Sequence, residues 1–330
     1  MSTKTEDWRP TATREVLQRR AAALAAVRQF FAARGVMEVD TPIIVNSPVT
    51  DVHIHSAQVR FPDDPRPTAP DSPRFFLHTS PEFAMKRLLA AGSGDIYQIC
   101  HVARGLERGR QHNAEFTLVE WYRNGFSLEQ LMDDVEALVR GVLGPQAAGK
   151  SGQRITYRDA FLHELQLDPL SASLEQLESA ARDLGFVTRD AERDELLELL
   201  MGAQIGPRLG RNALTFVHRY PASQAALARL DPADPRCALR FELYGDGIEL
   251  ANGFHELASP HEQRARFEQD QQERRRRGLP TYGLDEHLLR ALESGLPDST
   301  GVALGFDRLL MLATGASHID DVIPFPIERA

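Results

Sequence analysis

Side chains suited to phosphate and cation chemistry occur far apart in this sequence. Arg104 and Arg308 each carry a planar guanidinium group, which stays charged and can bind a phosphate through two parallel hydrogen bonds. Glu242 and Glu249 offer carboxylate oxygens, which are hard ligands for a hard cation such as Mg²⁺. Each glutamate taken alone is more simply a solvated strand residue. The pattern therefore permits nucleotide chemistry without establishing it.

A second stretch matches a phosphate-binding motif in its residues but not in the secondary structure predicted around it. Residues 144–151 match the Walker A pattern G-x-x-x-x-G-K-S. That motif requires a strand before the loop and a helix after it, so that backbone amides converge on the phosphates. Here residues 128–143 have helical apolar spacing, and Gly152 follows Ser151 at once. We therefore interpret the segment as a helix-to-strand linker.

Cysteine and histidine give little support for a metal site or a disulfide framework. Cys100 and Cys237 are the two cysteines, and neither belongs to a C-x-x-C pair. His53 and His55 alternate, but two histidines without a third ligand are weak support for a metal centre. We interpret them as surface or packing residues.

The composition is that of an acidic soluble protein. The net charge is −9, which argues weakly against broad nucleic-acid binding. No apolar run approaches the ~20 residues needed to span a bilayer, and residues 1–10 do not form a secretion signal. We therefore expect a cytoplasmic protein without a membrane partner. The basic cluster Arg274–Arg277 is interpreted as the solvated end of a helix, with a docking patch for an acidic partner as the alternative.

Apolar spacing and turn residues predict the elements that must position these side chains. Helices are predicted over 15–33, from 82 to a stop at Gly92, over 128–143, from a capping box at Ser259–Glu262 to a stop at Gly278, and over 307–313. Strands are predicted over 36–39, 75–78, 96–103, 116–122, 239–244, 248–254 and 302–304. The order of elements favours an α+β fold with an antiparallel sheet flanked by helices.

Three stretches, in this order, resemble motifs 1, 2 and 3 of the class II aminoacyl-tRNA synthetases. They are residues 30–42, residues 104–122, and residues 301–309, which read GVALGFDRL. The wording HNAEFTLVEWY and ELANGFHEL is similar to the lysyl branch, and within it to truncated paralogues that join (R)-β-lysine to elongation factor P. The resemblance runs from about Trp8 to the last residue. It implies that residues 1–330 form one class II catalytic domain with a helical insertion at about 156–211 and no anticodon-binding domain.

The resemblance also implies an ATP site with Mg²⁺. Arg104 would contact the α-phosphate and Arg308 the γ-phosphate, as the catalytic arginines. His112 would lie near the pyrophosphate, and Phe116 would stack on adenine. The remaining positions implied are Glu107 as a further ATP contact, with Glu242 and Glu249 as the Mg²⁺ ligands.

The same resemblance implies a pocket for a substrate with two amino groups. Buried acids suit such a dication, because buried carboxylates are costly unless a cation balances them. A structural salt-bridge network is the alternative. Ser80 and Ala303 stand where lysyl-tRNA synthetases have alanine and glycine, which implies a pocket reshaped for a β-amino group. The implied substrate-binding residues are Ser80, Glu82, Glu120, Tyr122, Asn252, Phe254, Glu256 and Ala303.

The motif 2 stretch departs from the family. The usual Arg-Asn-Glu-Glu or Arg-Asn-Gly-Glu is replaced by Arg104-Gly-Leu-Glu107, and alanine replaces the preceding phenylalanine. Leu106 stands where lysyl-tRNA synthetases have the adenine-facing acid, so Glu107 would have to serve in its place, and the change bears on nucleotide affinity and base selectivity. The proline of the related His-Asn-Pro-Glu-Phe is Ala114 here, a milder change within a loop.

Three functions compete at this stage. The leading hypothesis is a homodimeric ligase that adenylates (R)-β-lysine and transfers it to elongation factor P, with no tRNA as partner. A homodimer is expected because motif 1 forms the subunit interface in the family and Leu17, Val27 and Phe31 need burial. A lysyl-tRNA synthetase acting on α-lysine is disfavoured, since the motif 1 helix starts within about 15 residues of Met1 and leaves no room for an anticodon-binding domain. The third is a non-catalytic paralogue that senses an amino acid, for which the altered Arg104–Glu107 stretch is the best support.

Overall fold

The computed structural model describes residues 8–61, 75–105, 108–144, 152–187, 189 and 191–330. Across these residues the helices are α1 (Arg14–Ala32), α2 (Glu82–Ala90), α3 (Leu128–Leu143), α4 (Tyr157–Leu165), α5 (Leu174–Asp183), α6 (Arg193–Leu200), α7 (Pro260–Arg276), α8 (Glu286–Ser294) and α9 (Phe306–Thr314). The strands are β1 (Met37–Glu38), β2 (Ile44–Val45), β3 (Gln58–Val59), β4 (Phe75–Leu77), β5 (Ile96–Ala103), β6 (Glu115–Asn124), β7 (Gln153–Thr156), β8 (Thr215–Pro221), β9 (Leu230–Asp231), β10 (Asp234–Gly245), β11 (Ile248–His255) and β12 (Ser299–Gly305). The predicted α+β class is confirmed.

The chain divides into two compact units. Unit 1 contains the described residues of Met1–Gly125, Ala258–Ser299 and Ala303–Ala330. Unit 2 contains the described residues of Phe126–Leu257 and Thr300–Val302. Within the described ranges, no helix is both long and apolar enough to cross a membrane.

Unit 1 is built on the predicted hairpin of β5 and β6. These strands pair antiparallel over their full length, while β1 pairs parallel with β5. The register places Gln98 opposite Glu120, and Ile96 opposite Tyr122. Opposite residues in an antiparallel pair share one face, so the polar pair Gln98 and Glu120 lies on the same side of the hairpin.

Helix α1 buries its apolar stripe within its own unit. Val27 and Phe31 are fully buried. The Phe31 ring stacks on Tyr97 at 4.2 Å between centroids and meets Trp121 edge-on at 5.3 Å. The expectation that Val27 and Phe31 need a second subunit for burial is therefore wrong. Tyr97 of β5 and Trp121 of β6 supply the aromatic surface that packs on Phe31.

Unit 2 contains the second predicted hairpin, β10 and β11. Strand β10 also pairs antiparallel with β8, and β7 runs parallel to β8. The sheet of this unit is thus largely antiparallel, as predicted. The turn is fixed from outside the hairpin, because the Asp246 and Gly247 amides donate to the carbonyl oxygens of Gly210 and Leu209 at 2.9 and 2.8 Å.

The predicted helix-rich segment 156–211 contains α4, α5 and α6, followed by a π-helix at Met201–Ile205 and a 3-10 helix at Gly206–Arg208. Its core joins apolar side chains of these helices to Val217, Tyr220 and Tyr244 of the unit 2 strands. That the segment is an insertion into one catalytic domain without an anticodon-binding domain stays a prediction.

The flanks of the Walker-like stretch match the interpretation as a linker. The predicted capping box of Ser127 and Gln130 starts α3, and Gly144 ends it with a positive φ of 59°. Residues 145–151 lie outside the described part of the chain, and β7 follows from Gln153. The segment therefore follows a helix and precedes a strand, the reverse of what a phosphate-binding loop requires.

One prediction about α7 is wrong and the other holds only in part, since Arg275 and Arg276 are exposed as predicted. Ser259 caps Glu262 as predicted, but the Glu262 carboxylate pairs with Arg266 at 2.5 Å and does not complete a capping box. Arg274 is not solvated: it is buried, and it donates to the carbonyl oxygens of Asp51 at 2.8 Å and Pro280 at 2.7 Å. It holds two connecting segments against the helix, which helical spacing alone does not reveal.

Gly253 of β11 has no room for a side chain. A β-carbon there would lie 2.5 Å from Cζ of the fully buried Phe241 and 3.1 Å from the Gly301 carbonyl oxygen. We predict that Gly253→Ala lowers the free energy of unfolding by about 1–3 kcal/mol, since added volume in a packed core forces neighbours to shift. Thermal or denaturant unfolding measures this.

Gly141 offers the matched control for that substitution. It lies within α3 and is exposed, and beyond its own helix backbone no atom comes within 4 Å of the place that an added β-carbon would take. Gly141→Ala should raise stability by about 0.5–1 kcal/mol, because alanine favours helix over glycine. Equal effects of the two substitutions would contradict the packing argument at Gly253.

Candidate functional site

Arg104 follows β5 directly and points across the hairpin. Its guanidinium lies over the Phe116 ring at 5.2 Å, and its Nε donates to the Thr79 carbonyl oxygen at 3.3 Å. The backbone at this point is fixed by Arg104 N donating to Ala114 O at 2.8 Å and Gly105 N to His55 O at 2.6 Å. Arg104 and Phe116, predicted for phosphate and adenine, are thus brought into contact. Leu106 and Glu107 lie outside the described residues.

Arg308 and His112 come together although 196 positions separate them in the chain. Arg308 Nη2 lies 2.6 Å from His112 Nε2, and Arg308 Nε donates to the Gln111 carbonyl oxygen at 3.2 Å. A guanidinium can only donate, so His112 Nε2 is the acceptor in this pair. The two predicted pyrophosphate-side residues therefore form one hydrogen-bonded pair.

Asp307, which the sequence reasoning passed over, fixes the start of α9. Its carboxylate is buried and accepts from Arg20 Nη1 at 2.5 Å and from the Thr117 amide at 2.7 Å. Arg20 Nη2 also donates to Thr117 Oγ1 at 2.6 Å. These bonds tie α9 to α1 and β6, and so set the position of the neighbouring Arg308. An acid at a helix start next to a key arginine was the available signal.

Glu120 is the most buried acid of the predicted substrate group in unit 1, with 2% of its surface exposed. It accepts hydrogen bonds from Ser80 Oγ at 2.7 Å and from Tyr122 Oη at 2.8 Å. Three predicted substrate residues thus form one network. Burial and the charge of the Glu120 carboxylate raise the pKa of the Cys100 thiol to about 12.

Glu82 has a different environment from Glu120. It accepts from Lys86 Nζ at 2.7 Å, and Lys86 is itself buried. The structural salt bridge considered as the alternative is therefore present at this acid. The Glu82 backbone amide donates to Ser80 Oγ at 3.0 Å and so orients the same hydroxyl that donates to Glu120.

A β-bulge brings the unit 2 acids to one face. Glu242 lies opposite Asn252 and Tyr244 lies opposite Glu249, with the register shift between Leu243 and Tyr244. Asn252 and Glu249 are three residues apart and would otherwise point to opposite faces of β11. The bulge restores a common side for them, next to Glu242. Period-two reasoning from the sequence does not find this.

Glu242 is buried within a polar cluster of its own unit. Its carboxylate accepts from Arg240 Nη2 and from Tyr244 Oη, both at 2.6 Å. Burial and the adjacent Glu242 carboxylate raise the pKa of Tyr244 well above its usual value, so this phenol stays a donor. Arg240 lies over the Tyr220 ring at 4.4 Å. Arg240 and Tyr244 were not predicted; their polar side chains on the same strand face as Glu242 were the available signal.

The donor set fits Mg²⁺ bound together with a nucleotide. Among the described residues there is no group of three or more acids, histidines or cysteines that could hold a metal alone. Mg²⁺ is commonly held by one or two carboxylates and the substrate phosphates. A carboxylate has about four lone-pair directions, and the two hydrogen bonds to Glu242 leave some of them for a cation.

The other predicted substrate residues of unit 2 lie along and just beyond β11. Asn252 has a buried Oδ1 with no hydrogen-bond partner within the described chain, an acceptor suited to an ammonium group. Phe254 lies opposite Arg240, and Glu256 is buried and pairs with Ala228 in a β-bridge. Ala303 belongs to unit 1, where it lies in β12 and is half-buried.

Known proteins resemble this chain over nearly its full length. Residues 1–329 match the family described as tRNA synthetases class II (D, K and N). A relative from Vibrio parahaemolyticus is 51% identical over 327 residues, which cover 98% of this chain and 99% of that protein. Relatives from Yersinia enterocolitica and Pectobacterium carotovorum are 48% and 47% identical over 330 residues, 99% of each chain. All three are named elongation factor P--(R)-beta-lysine ligase.

Proposed function

Because this chain belongs to the class II tRNA synthetases of the D, K and N group, we propose that it is an ATP-dependent ligase that joins (R)-β-lysine to elongation factor P. The observation that carries the proposal is the 51% identity over 98% of the chain to a protein named for this reaction. The contacts Arg104–Phe116 and Arg308–His112 support it, because both bring together residues that the resemblance implies for ATP.

The reaction has two steps. The carboxylate of (R)-β-lysine attacks the α-phosphorus of ATP, which forms an aminoacyl adenylate and releases pyrophosphate. The side-chain amine of a lysine on the factor then attacks the adenylate carbonyl, which forms an amide and releases AMP. No covalent bond to the enzyme is needed, so catalysis consists of positioning and charge stabilisation.

The ATP-facing residues act through fixed charge. Arg104 would bind the α-phosphate while Phe116 carries the adenine, and Arg308 with His112 would hold the outgoing pyrophosphate. Glu242 and Glu249 would hold Mg²⁺, which offsets phosphate charge when bound. Arg240 and Tyr244 would keep the Glu242 carboxylate oriented through their two hydrogen bonds.

Substrate choice would rest on the network around Glu120. Its buried carboxylate suits an ammonium group of the substrate, and Ser80 and Tyr122 hold it in place. We infer that the Ala303 methyl occupies space that an α-amino group would need, so that a β-amino acid is preferred. One methyl in a tight pocket discriminates by about 1–3 kcal/mol.

We also propose a homodimer acting in the cytoplasm. Its support is the exposed apolar surface that follows α1, where Met37, Ile43 and Ile44 are 49%, 43% and 37% exposed. Exposed apolar side chains that follow one another this closely along the chain favour an interface with another protein. A cytoplasmic location follows from the proposed acceptor, a factor of translation.

We predict that the purified protein, with Mg²⁺ and ATP, exchanges pyrophosphate with (R)-β-lysine faster than with (S)-β-lysine or α-lysine. With elongation factor P present, mass spectrometry should show one added lysyl unit on a single lysine, while tRNA offered in parallel stays uncharged. The acceptor variant with that lysine changed to arginine is the control.

The alternatives give different results in the same experiment. Charging of tRNA with α-lysine and an unmodified factor would indicate a lysyl-tRNA synthetase. Binding of an amino acid without pyrophosphate exchange would indicate a sensing paralogue, the function that the altered Arg104–Glu107 stretch favours. Either outcome would overturn the proposal.

A further inference from the structure

The loop that joins β5 to β6 has a sharply defined tip. Gly109 and His112 exchange two backbone hydrogen bonds, at 3.1 and 3.2 Å, which close a two-residue turn around Arg110 and Gln111. Tips of hairpin loops are ordinarily mobile in solvent. This one is tied to the segment Ser317–Arg329, which follows α9 in the same unit.

Arg108 makes the strongest part of that tie. Its Nη1 and Nη2 donate to the two carboxylate oxygens of Asp320 at 3.0 and 2.8 Å, in the two-pronged geometry that arginine forms with acids. Its Nε donates to Glu328 Oε1 at 2.7 Å. The side chains of Arg108, Asp320 and Glu328 are 33%, 22% and 57% exposed, so water screens the pairs only in part.

Backbone contacts place the same segment on both sides of the turn. The Ile319 amide donates to the Arg110 carbonyl oxygen at 2.8 Å. The Ile327 amide donates to Asn113 Oδ1 at 3.2 Å, and Asn113 is buried. Arg108, Arg110 and Asn113 are thus fixed by Asp320, Glu328 and two backbone amides.

We propose that Arg108 is a positioning residue that, through Asp320 and Glu328, orders residues 108–113 of this loop before ATP binds. The proposal rests on the proposed function. Arg108 Nη1 donates to the His112 carbonyl oxygen at 3.4 Å, and the His112 ring contacts Arg308 at 2.6 Å. The chain of contacts therefore runs from the segment Ser317–Arg329 to the side chains implied for pyrophosphate.

Pre-ordering predicts a specific kinetic signature. If only a fraction of molecules has the loop in place, the apparent affinity for ATP falls by that fraction. Bound ATP itself would hold residues 108–113 in place, so the turnover number kcat is little affected. We expect Arg108→Met to raise KM for ATP about two- to fivefold, as the loss of up to about 1 kcal/mol from partly exposed ion pairs would do, and to change kcat less than about twofold.

The experiment compares Arg108→Met, Arg108→Lys and the near-isosteric double variant Asp320→Asn with Glu328→Gln. Arg108→Lys keeps the positive charge but cannot form the two-pronged contact, so its KM for ATP should lie between those of wild type and Arg108→Met. Adding the two acid substitutions to Arg108→Met should change KM for ATP little further, since their shared partner is already gone and, within the described chain, Asp320 keeps only a long contact to His318 Nδ1 at 3.4 Å. Arg264→Met, which breaks a two-pronged surface pair with Glu286 at 2.9 and 2.7 Å, is the matched control and should leave KM unchanged.

Hydrogen exchange of the amides at 109–113 in the nucleotide-free protein tests the ordering without any activity. Faster exchange in Arg108→Met than in Arg264→Met supports the inference, even if the wild-type protein proves to lack ligase activity. Unchanged exchange at 109–113, or a fall in kcat at constant KM for ATP, would overturn it.

Discussion

Replacing Arg308 with alanine should lower the rate of pyrophosphate exchange about 10²–10³-fold, while the chain stays folded. The loss of one fixed charge contact in the transition state typically costs ~2.7–4 kcal/mol. Arg308 also contacts the His112 ring at 2.6 Å and the Gln111 carbonyl oxygen at 3.2 Å, so its removal takes two further contacts from the loop tip. Steady-state exchange kinetics measure the effect, with circular dichroism to verify folding.

Two variants separate charge from position in that result. Arg308→Lys keeps a cation but loses the planar fork, so it should recover only part of the rate. Arg290→Ala removes an exposed arginine of α8 whose Nε donates to the Glu286 carbonyl oxygen, and it should exchange like wild type. A folded Arg308→Ala protein with near-normal exchange would remove Arg308 from the ATP site.

Local structure could be predicted well because its signals are local. The stop residues Gly35, Gly92, Gly278 and Gly315 all have positive φ, the conformation that glycine tolerates best and that ends a helix. The hairpin of β5 and β6 is predicted from two apolar runs joined by a charged loop. The observed bounds of β5 are the predicted ones, and those of β6 differ from the prediction by at most two residues at each end.

The structural features that could not be predicted depend on contacts between residues far apart in the chain. The bulge opposite Tyr244 moves Glu249 to the same face as Asn252, and a one-residue shift in register has no marker in composition. Lys86 is buried beside Glu82 although lysine is usually exposed. Arginine is usually exposed too, so the sequence predicts Arg274 to be in solvent. Its partners are backbone carbonyl oxygens, which every residue possesses, so no residue type in the sequence marks them.

The site residues show the same difference between what motifs predict and what long-range contacts determine. Motif resemblance named Arg308 and His112 separately, and the structure places their side chains in contact. It did not name Arg108 or Asp320, whose pairing joins positions 212 residues apart. Family motifs therefore predict which side chains meet the substrate, and the chain's own contacts determine how firmly those side chains are held.

The second large effect is expected at Glu120, where Glu120→Gln should raise KM for (R)-β-lysine about 30- to 4,000-fold. Removing one partner of a buried charge pair typically costs about 2–5 kcal/mol, and each 1.4 kcal/mol is a factor of ten. KM for ATP should change less than about threefold, because Glu120 contacts Ser80 and Tyr122 rather than the arginines implied for phosphate. Pyrophosphate exchange at varied amino-acid concentration gives both constants.

Tyr122→Phe is the matched control for Glu120→Gln, since it removes one hydrogen bond to the carboxylate and leaves the charge in place. A hydrogen bond to a charged group is worth about 1.5–3 kcal/mol, so its effect on KM should be the smaller of the two. Cys100 reports on the substitution independently of activity. The charge of Glu120 contributes, after burial, to raising the pKa of the Cys100 thiol to about 12, so Glu120→Gln should lower that pKa and speed alkylation at pH values below it. Faster alkylation of Cys100 with an unchanged KM for (R)-β-lysine would show that the charge had been removed without affecting the substrate, and would exclude Glu120 from amino-acid binding.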